Sequence, residues 1–448
     1  GGPGQMYGQS TNSTVNTGAA ATMAYLQGAK YANGEFIQIH PTAIPGQDKL
    51  RLMSESARGE GGRIWVPRKQ NDTRPPKSIP EEERYYFLEE KYPLFGNLVP
   101  RDVASREIHD MVFNQKLGAG GENMVYLDLT HKSRKFLDDR LGGILEIYTK
   151  FTGDNPRETP MKIFPAVHYS MGGIWTDYEP DSHGLIEHGS PKNQMTSISG
   201  LYAAGEVDYQ FHGANRLGAN SLLSCIYTGL MIARGVMNFS KNLDKEMESI
   251  PSSIFDQARS YWDSRFKEIR KMNGKENPFK LHQELGDIML ANVLIVRDNK
   301  GLEKAVYAIE DIQKRFQDVK CVDTQDWANP VPSFINQLSC MIELSKVVTK
   351  GALMRDEFRG AHYKPEFDLK QPANFDPHEY IDYLEQKNYG EVSKESFPAE
   401  HLDYMKRFEE NNKKWLKTTI AEHKNGKPEI SYEEINTVLV TPRPRKYD

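Results

Sequence analysis

Cysteine is nearly absent from this sequence. Three occur in 448 residues, Cys225, Cys321 and Cys340, and no two form a C-x-x-C pair. A zinc or iron–sulfur centre built by this chain alone is therefore not expected, nor is a disulfide framework, and a reducing compartment fits. Charge of one sign is lacking too. The chain carries 57 basic and 62 acidic residues, a net charge of −5, which argues against a nucleic-acid binder driven by phosphate neutralisation. No apolar run approaches the roughly 20 residues a helix needs to cross a bilayer, and the first residues do not read as a signal peptide. No G-x-G-x-x-G fingerprint and no Gly-Lys-Ser/Thr phosphate loop occur. The opening GGPGQMYG has no initiating Met and reads as a chain joined in mid-sequence, so a fragment is expected.

What is present is an ordinary apolar fraction and enough length for two to four domains of roughly 150 residues each. Small residues at 13–34 predict a helix. Phe36–Ile39 reads as a short strand ending at His40-Pro41, 102–116 as a helix entered from Pro100, and 124–129 as a strand. Across 166–240 apolar runs alternate with glycine turns, and GLYAAGE at 200–206 is a buried-strand candidate. A helix follows, with Asn220 or Ser221 placed to cap it. Its apolar rows are Leu222, Ile226, Leu230 and Leu223, Tyr227, Met231. Four amphipathic stripes at 250–355 predict a helix bundle. They are carried by Tyr261, Phe266, Ile269; by Leu281, Leu285, Met289, Leu290; by Leu302, Val306, Ile309, Ile312; and by 334–347. Residues 362–448 are polar, with a late strand expected at 436–440, a solvated lysine face at 413–417 and a basic tail, PRPRKYD.

The stretch FHGANRLGANSLLS, Phe211–Ser224, feeds a glycine-rich loop into a helix. A helix N-terminus carries roughly half a positive charge and free N–H groups, so it favours an anion. Arg216 adds a fork of donors suited to a carboxylate, beside His212. Four further places join it: His40 at a strand end in FIQIHPT, Ser54, Glu55 and Arg58 in SESARGEGG, Arg101 before Asp102 in PRDVASREI, and His168 before paired glycines in HYSMGG. Each alone has an ordinary reading. Glu55 and Arg58 could be a surface i,i+3 pair, Asp102 a helix cap, and either histidine structural.

In order and in surrounding residues these segments resemble the flavoprotein subunit of succinate dehydrogenase and fumarate reductase, in its Bacillus-like branch. QIHPTAIPG, SESARGEGGR, PRDVASREI, HYSMGGI, LYAAGE, HGANRLGANSLL and EFRGAHY carry the resemblance over essentially the whole chain. It implies an α/β plus α architecture: a partial Rossmann-like FAD-binding domain with an inserted α+β capping domain, then a helix bundle and a small C-terminal domain. The expected bounds are 1–38 and 166–240 for the two FAD-binding segments, 39–165 for the cap, 241–361 for the bundle and 362–448 for the C-terminal domain.

By the same resemblance His40 and Ser54 would hold one carboxylate of a dicarboxylate, and His168 and Arg216 the other. Arg101 would move the substrate proton, with Glu55 and Arg58 as its relay. Glu206 would contact the flavin's sugar-alcohol chain, and Ser221 and Leu222 would offer backbone N–H groups to the ring. The implied reaction is FAD-dependent interconversion of succinate and fumarate, with hydride exchanged at flavin N5. Electrons would pass to an iron–sulfur subunit and quinone. A cytochrome b membrane anchor would hold the complex indirectly, peripheral on the cytoplasmic side of the cell membrane. The family's dinucleotide fingerprint and its covalent FAD histidine are missing here and are expected upstream. The rival readings are an L-aspartate oxidase-like flavoenzyme and a non-catalytic fragment that binds the iron–sulfur partner.

Overall fold

The computed structural model describes residues 1–448 except 47–49, 245, 391, 393–395 and 448. The chain builds a six-stranded sheet, a four-stranded sheet and a helical layer. Helix α1, Ala19–Leu26, is shorter than the predicted 13–34, because Gly18 in the left-handed region starts it and Tyr31–Ala32 turns into a strand, β1. Strand β2, Ile37–Ile44, does not stop at His40-Pro41 but runs through it, with a register shift between His40 and Ala43. Proline has no N–H to give the ladder, so the strand accommodates it with a bulge.

Beyond β2 come β3, Arg51–Leu52, α2, Ser56–Gly59, β4, Arg63–Pro67, β5, Arg84–Tyr85, and α3, Phe87–Lys91. Helix α4 spans Arg101–His109 and continues as a π-helical turn to Asn114. Then follow β6, Val125–Asp128, α5, Arg134–Thr152, β7, Met161–Ser170, and β8, Gly173–Ile174. The six strands lie in the order β3-β2-β7-β6-β4-β5. One face of this sheet packs on a core of Ile64, Val66, Val103, Ile108, Leu127, Leu137, Leu141 and Ile163. The bounds drawn at 38/39 and 165/166 fall inside β2 and β7, which pair from Ile37 opposite Ser170 to Ala43 opposite Phe164.

GLYAAGE is not a regular strand. Tyr202 makes an isolated bridge to Met195, and Gly205–Val207 is a 3-10 turn. Helix α6, Asn220–Lys241, follows. Its cap is Ala219 in the left-handed region, and neither Asn220 nor Ser221 makes a capping hydrogen bond. The first apolar row is turned outward, and the second only in part. Leu222, Leu223, Ile226 and Leu230 are 63–73% exposed, while Ser224, Thr228, Met231 and Gly235 are buried. In the second row Tyr227 meets the Phe211 ring at 6.0 Å and Met231 is buried, so Leu222, Leu223, Ile226 and Leu230 form the exposed apolar strip. This helix is also the one described helix long and apolar enough, by length and composition, to cross a membrane, which the sequence reading had not anticipated. Part of it lies against the chain, with the Gly235 backbone facing that of Ser190.

Helices α7, Ser252–Lys271, α8, Pro278–Val293, α9, Asn299–Arg315, and α10, Val331–Met354, form the predicted bundle. Leu281, Leu285, Met289, Leu302, Ile309 and Ile312 fill its core, joined by Met6, Tyr7 and Tyr25 from the first segment. In α7, Ile269 is buried but Tyr261 is 63% exposed, so the predicted first stripe is only partly a core face. Helices α11, Pro377–Tyr389, and α12, Ala399–Trp415, pack around Phe375, Tyr383 and Tyr404. Strands β9, Lys417–Lys424, and β10, Lys427–Glu434, form a hairpin whose β9 edge extends β1 and β8. The strand predicted at 436–440 is absent. The hairpin takes the sheet positions, and Val438, Leu439 and Val440 are exposed. Lys413 and Lys414 end α12 facing solvent, but Lys417 begins β9.

Candidate functional site

Period two along β2 puts Gln38 and His40 on one face of the strand. Both are buried. Facing them are α2, which carries Glu55 at its cap and Arg58 in its turn, and the first residue of α4, Arg101. From β7 comes His168, and from the loop before α6 comes Arg216. The residues singled out at five separate places in the sequence thus meet, with the exceptions given below.

Gln38 is the centre of the cluster. Its Oε1 accepts from Arg101 Nη1 at 3.0 Å and from Arg216 Nε at 2.9 Å, and its Nε2 donates to the Arg216 carbonyl at 2.5 Å. A neutral amide oxygen between two guanidinium groups takes a donor from each without neutralising either. The positive field of the pair is therefore kept for a guest.

Glu55 stands between the other pair. Arg101 Nε donates to its Oε2 at 2.6 Å, and Arg58 Nη2 donates to its Oε1. Arg58 is anchored in turn to the carbonyls of Asn97 and Val99 at 2.8 and 3.3 Å. Burial raises the cost of the Glu55 charge, but His40, Arg58 and Arg101 outweigh it and hold the carboxyl below the usual carboxylate range. Glu55 and Arg58 do form the i,i+3 ion pair, but Arg58 is 2% exposed and Glu55 also serves Arg101.

The two histidine rings meet edge to face, 5.0 Å between centroids. His40 Nδ1 lies 3.3 Å from the Thr42 backbone N and 3.1 Å from the Thr42 hydroxyl, which donates to the Met53 carbonyl. His40 Nε2 is buried, 3.7 Å from Glu55 Oε2, with no hydrogen-bond partner among the described residues. His168 Nδ1 lies 2.8 Å from the Thr11 hydroxyl. Burial, together with the charges of Arg101 and Arg58, lowers the His40 pKa to about 4. Burial and the neighbouring His40, Arg101 and Arg216 lower that of His168 to about 2. Both rings are neutral at pH 7. Arg216 is lowered by burial and by Arg101 to about 10, so it stays charged, and it lies 4.6 Å over the Tyr169 ring.

Ser54 does not reach the cluster through a hydrogen bond. Its hydroxyl accepts the Ser56 N–H and meets the Ser56 hydroxyl, each at 3.2 Å. His212 bonds Ser224 at 3.2 Å and packs on Tyr169, which is loop structure. Asp102 is not a helix cap. It accepts from Arg106, Asn215 and Arg445. Sequence reasoning missed Gln38, although its spacing from His40 was a usable signal. It also missed Thr11 and Asn12, the latter donating to the His168 carbonyl at 2.8 Å; no pattern in QSTNS marks them.

One wall of the site suits a flavin ring. The loop residue Gly218 faces Glu55 and Arg101, a Cβ there lying 3.6 and 3.7 Å from them, and the first turn of α6 next to it is uncapped with Leu222 73% exposed. At Gly2 a Cβ would stand within 2.6 Å of Glu206 Oε1, a close backbone approach only glycine permits, and Glu206 also accepts the Ser170 N–H at 3.1 Å. Burial raises the Glu206 pKa. These residues fit the ring end of FAD.

Two families match the chain: FAD binding domain over residues 1–222, and fumarate reductase flavoprotein C-term over residues 282–447. The chain belongs to the succinate dehydrogenase and fumarate reductase flavoprotein family. It is 48% identical over its whole length to the succinate dehydrogenase flavoprotein subunit of Bacillus subtilis, of which it covers 65%. It is 30% identical to the fumarate reductase flavoprotein subunit of Escherichia coli over 81% of its own length and 57% of that protein's. A solved quinol fumarate reductase of E. coli superposes with a TM-score of 0.75 at 25% identity, over 99% of this chain and 66% of that one. The chain therefore spans about two thirds or less of the proteins it matches.

Proposed function

We propose that this chain supplies the dicarboxylate site and the ring-facing wall of a flavoprotein that interconverts succinate and fumarate. The observation that carries the reading is the convergence of two guanidinium groups on Gln38, beside two neutral histidines whose ring centroids lie 5.0 Å apart, with Glu55 hydrogen-bonded to Arg101.

His40, through Nε2, and the Ser54 hydroxyl hold one carboxylate. For Ser54 this requires exchanging its bond to Ser56. His168 and Arg216 hold the other. Neutral histidines donate to a carboxylate without adding to the repulsion between Arg101 and Arg216. Arg101 gives or takes the proton at the substrate carbon. A guanidinium is a poor base, yet it is acidic enough toward a carbanion, which is far more basic. Glu55, shared between Arg101 and Arg58, restores Arg101 after each turnover. Bound FAD supplies the hydride acceptor, with Glu206 toward its sugar-alcohol chain and the N–H groups of Ser221 and Leu222 toward its ring. We assign residues 1–38 and 166–240 to the FAD-binding domain, 39–165 to the cap, 241–361 to the bundle and 362–448 to the C-terminal domain. Electrons pass to an iron–sulfur subunit and on to quinone, with the complex peripheral on the cytoplasmic side of the membrane.

Steady-state assays of the full-length flavoprotein with succinate and with L-aspartate test the reading. Turnover of succinate at a higher kcat/KM supports it, and preference for L-aspartate rejects it.

A further inference from the structure

Asp102 and Asn215 each stand one residue from a guanidinium of the site, Arg101 and Arg216. They bond each other, Asn215 Nδ2 donating to Asp102 Oδ1 at 2.9 Å. The other Asp102 oxygen accepts from Arg106 at 3.2 Å and from Arg445 at 3.0 Å. Arg106 also donates to the Gly360 carbonyl at 3.3 Å, and the neighbouring Ala361 N–H donates to the Ala214 carbonyl at 2.8 Å. One buried carboxylate thus gathers helix α4, the loop before α6 and the segment 442–447.

That segment is fastened on both sides of Asp102. Pro444 is buried. The Arg445 carbonyl accepts from Gln371 at 2.8 Å, and Lys446 donates to the Phe375 carbonyl at 3.0 Å, both in the region of α11 and α12. Tyr447 packs on the core around α4 and meets the Phe95 ring at 6.0 Å. The segment therefore spans from the C-terminal helices to the layer that carries Arg101.

We infer that Asp102 is a positioning residue that sets the separation of Arg101 and Arg216, and that Arg445 is a strap holding the Arg101 layer down over a bound dicarboxylate. The inference rests on the dicarboxylate reading above. A strap of this kind acts on binding more than on chemistry, because Arg101 and Glu55 stay intact when it is cut. Arg445 is itself about half exposed, 43% for its side chain, so it can be removed without opening a hole in the core.

The test uses the full-length holoprotein and malonate, which has two carboxylates and no CH2–CH2 bond to oxidise. Its Kd is read from the flavin absorbance change. Arg445→Ala is expected to weaken malonate about tenfold and raise KM for succinate in parallel, with kcat within about twofold. Arg445→Lys, which keeps the charge, is expected to return Kd to within about threefold of wild type. Equal Kd in wild type and Arg445→Ala overturns the strap while leaving the dicarboxylate reading in place. Equal loss in the Ala and Lys variants also overturns it. A wild type that binds no malonate overturns both readings. Should Arg445→Ala not fold, hydrogen exchange on the wild type decides. Malonate is expected to protect the backbone at 101–106, 213–217 and 442–447 together, and protection of the first two without the third overturns the strap.

Discussion

Gln38 and Arg216 hold each other at two points. The Gln38 amide oxygen takes the Arg216 Nε–H at 2.9 Å, and its nitrogen gives a proton to the Arg216 carbonyl at 2.5 Å. With Arg101 on the same oxygen, this one amide accepts from two cations that would otherwise repel. Hydrogen bonds to charged groups contribute roughly 1.5–3 kcal/mol each, so Gln38→Ala is expected to lower kcat/KM for succinate about 10- to 100-fold. The loss falls on KM as well as kcat, since both carboxylate clamp and proton donor shift. Steady-state kinetics of the full-length protein measure it.

Glu55 ties Arg101 to Arg58. Because its carboxyl is held below the usual range, it stays charged throughout the working pH range and does not set an acid limb. On the proposed roles, Glu55→Gln removes the relay but leaves His40, His168 and Arg216 as the clamp. The expected result is a loss on the order of 10²-fold in kcat, with the Kd of malonate within about threefold of wild type.

The buried histidines give stability a pH dependence of definite sign. His40 and His168 have folded pKa values of about 4 and about 2, below the ordinary 6.5. The unfolded chain binds protons that the folded chain refuses, so this contribution is complete above about pH 6.5 and falls as pH drops toward 4. Between pH 6.5 and 4, His40→Gln is expected to reduce the slope of unfolding free energy against pH by up to about one proton. Denaturant unfolding at several pH values checks this.

The site was legible in the sequence as separate pieces because its charged residues sit in unusual local wording around His40, Arg101, His168 and Arg216. Gln38 was not, because a glutamine in a strand has no chemistry of its own to announce. The role of Asp102 is not legible locally, since its partners Asn215 and Arg445 are 113 and 343 residues away. The apolar rows of α6 are legible in the sequence, but Leu222, Leu223, Ile226 and Leu230 stand exposed. Periodicity gives the stripe but not whether a partner is present. The bundle was readable because four long helices repeat the same pattern. The β9–β10 hairpin was missed, because its polar strand Lys427–Glu434 has only one face against the protein.

Outside the cluster, Arg355 is fully buried between Glu35 and Glu357, donating to each at 2.6 Å. It also bonds the carbonyls of Trp415 and Lys417, so it joins β9 to the segment before β2. Removing one partner of a buried ion cluster strands the others, at a cost of about 3–5 kcal/mol. Arg355→Leu is expected to lower unfolding free energy by that amount in denaturant titrations, whereas a change near zero contradicts the role given to this cluster.

The central claim is that Arg101 moves the substrate proton, and replacing it tests this most directly. In the full-length protein, Arg101→Ala is expected to retain bound FAD and to lose roughly 10²–10⁴-fold in succinate–fumarate turnover, the value of a positioned proton-transfer group. A loss of less than about tenfold, with FAD still bound, contradicts the assignment.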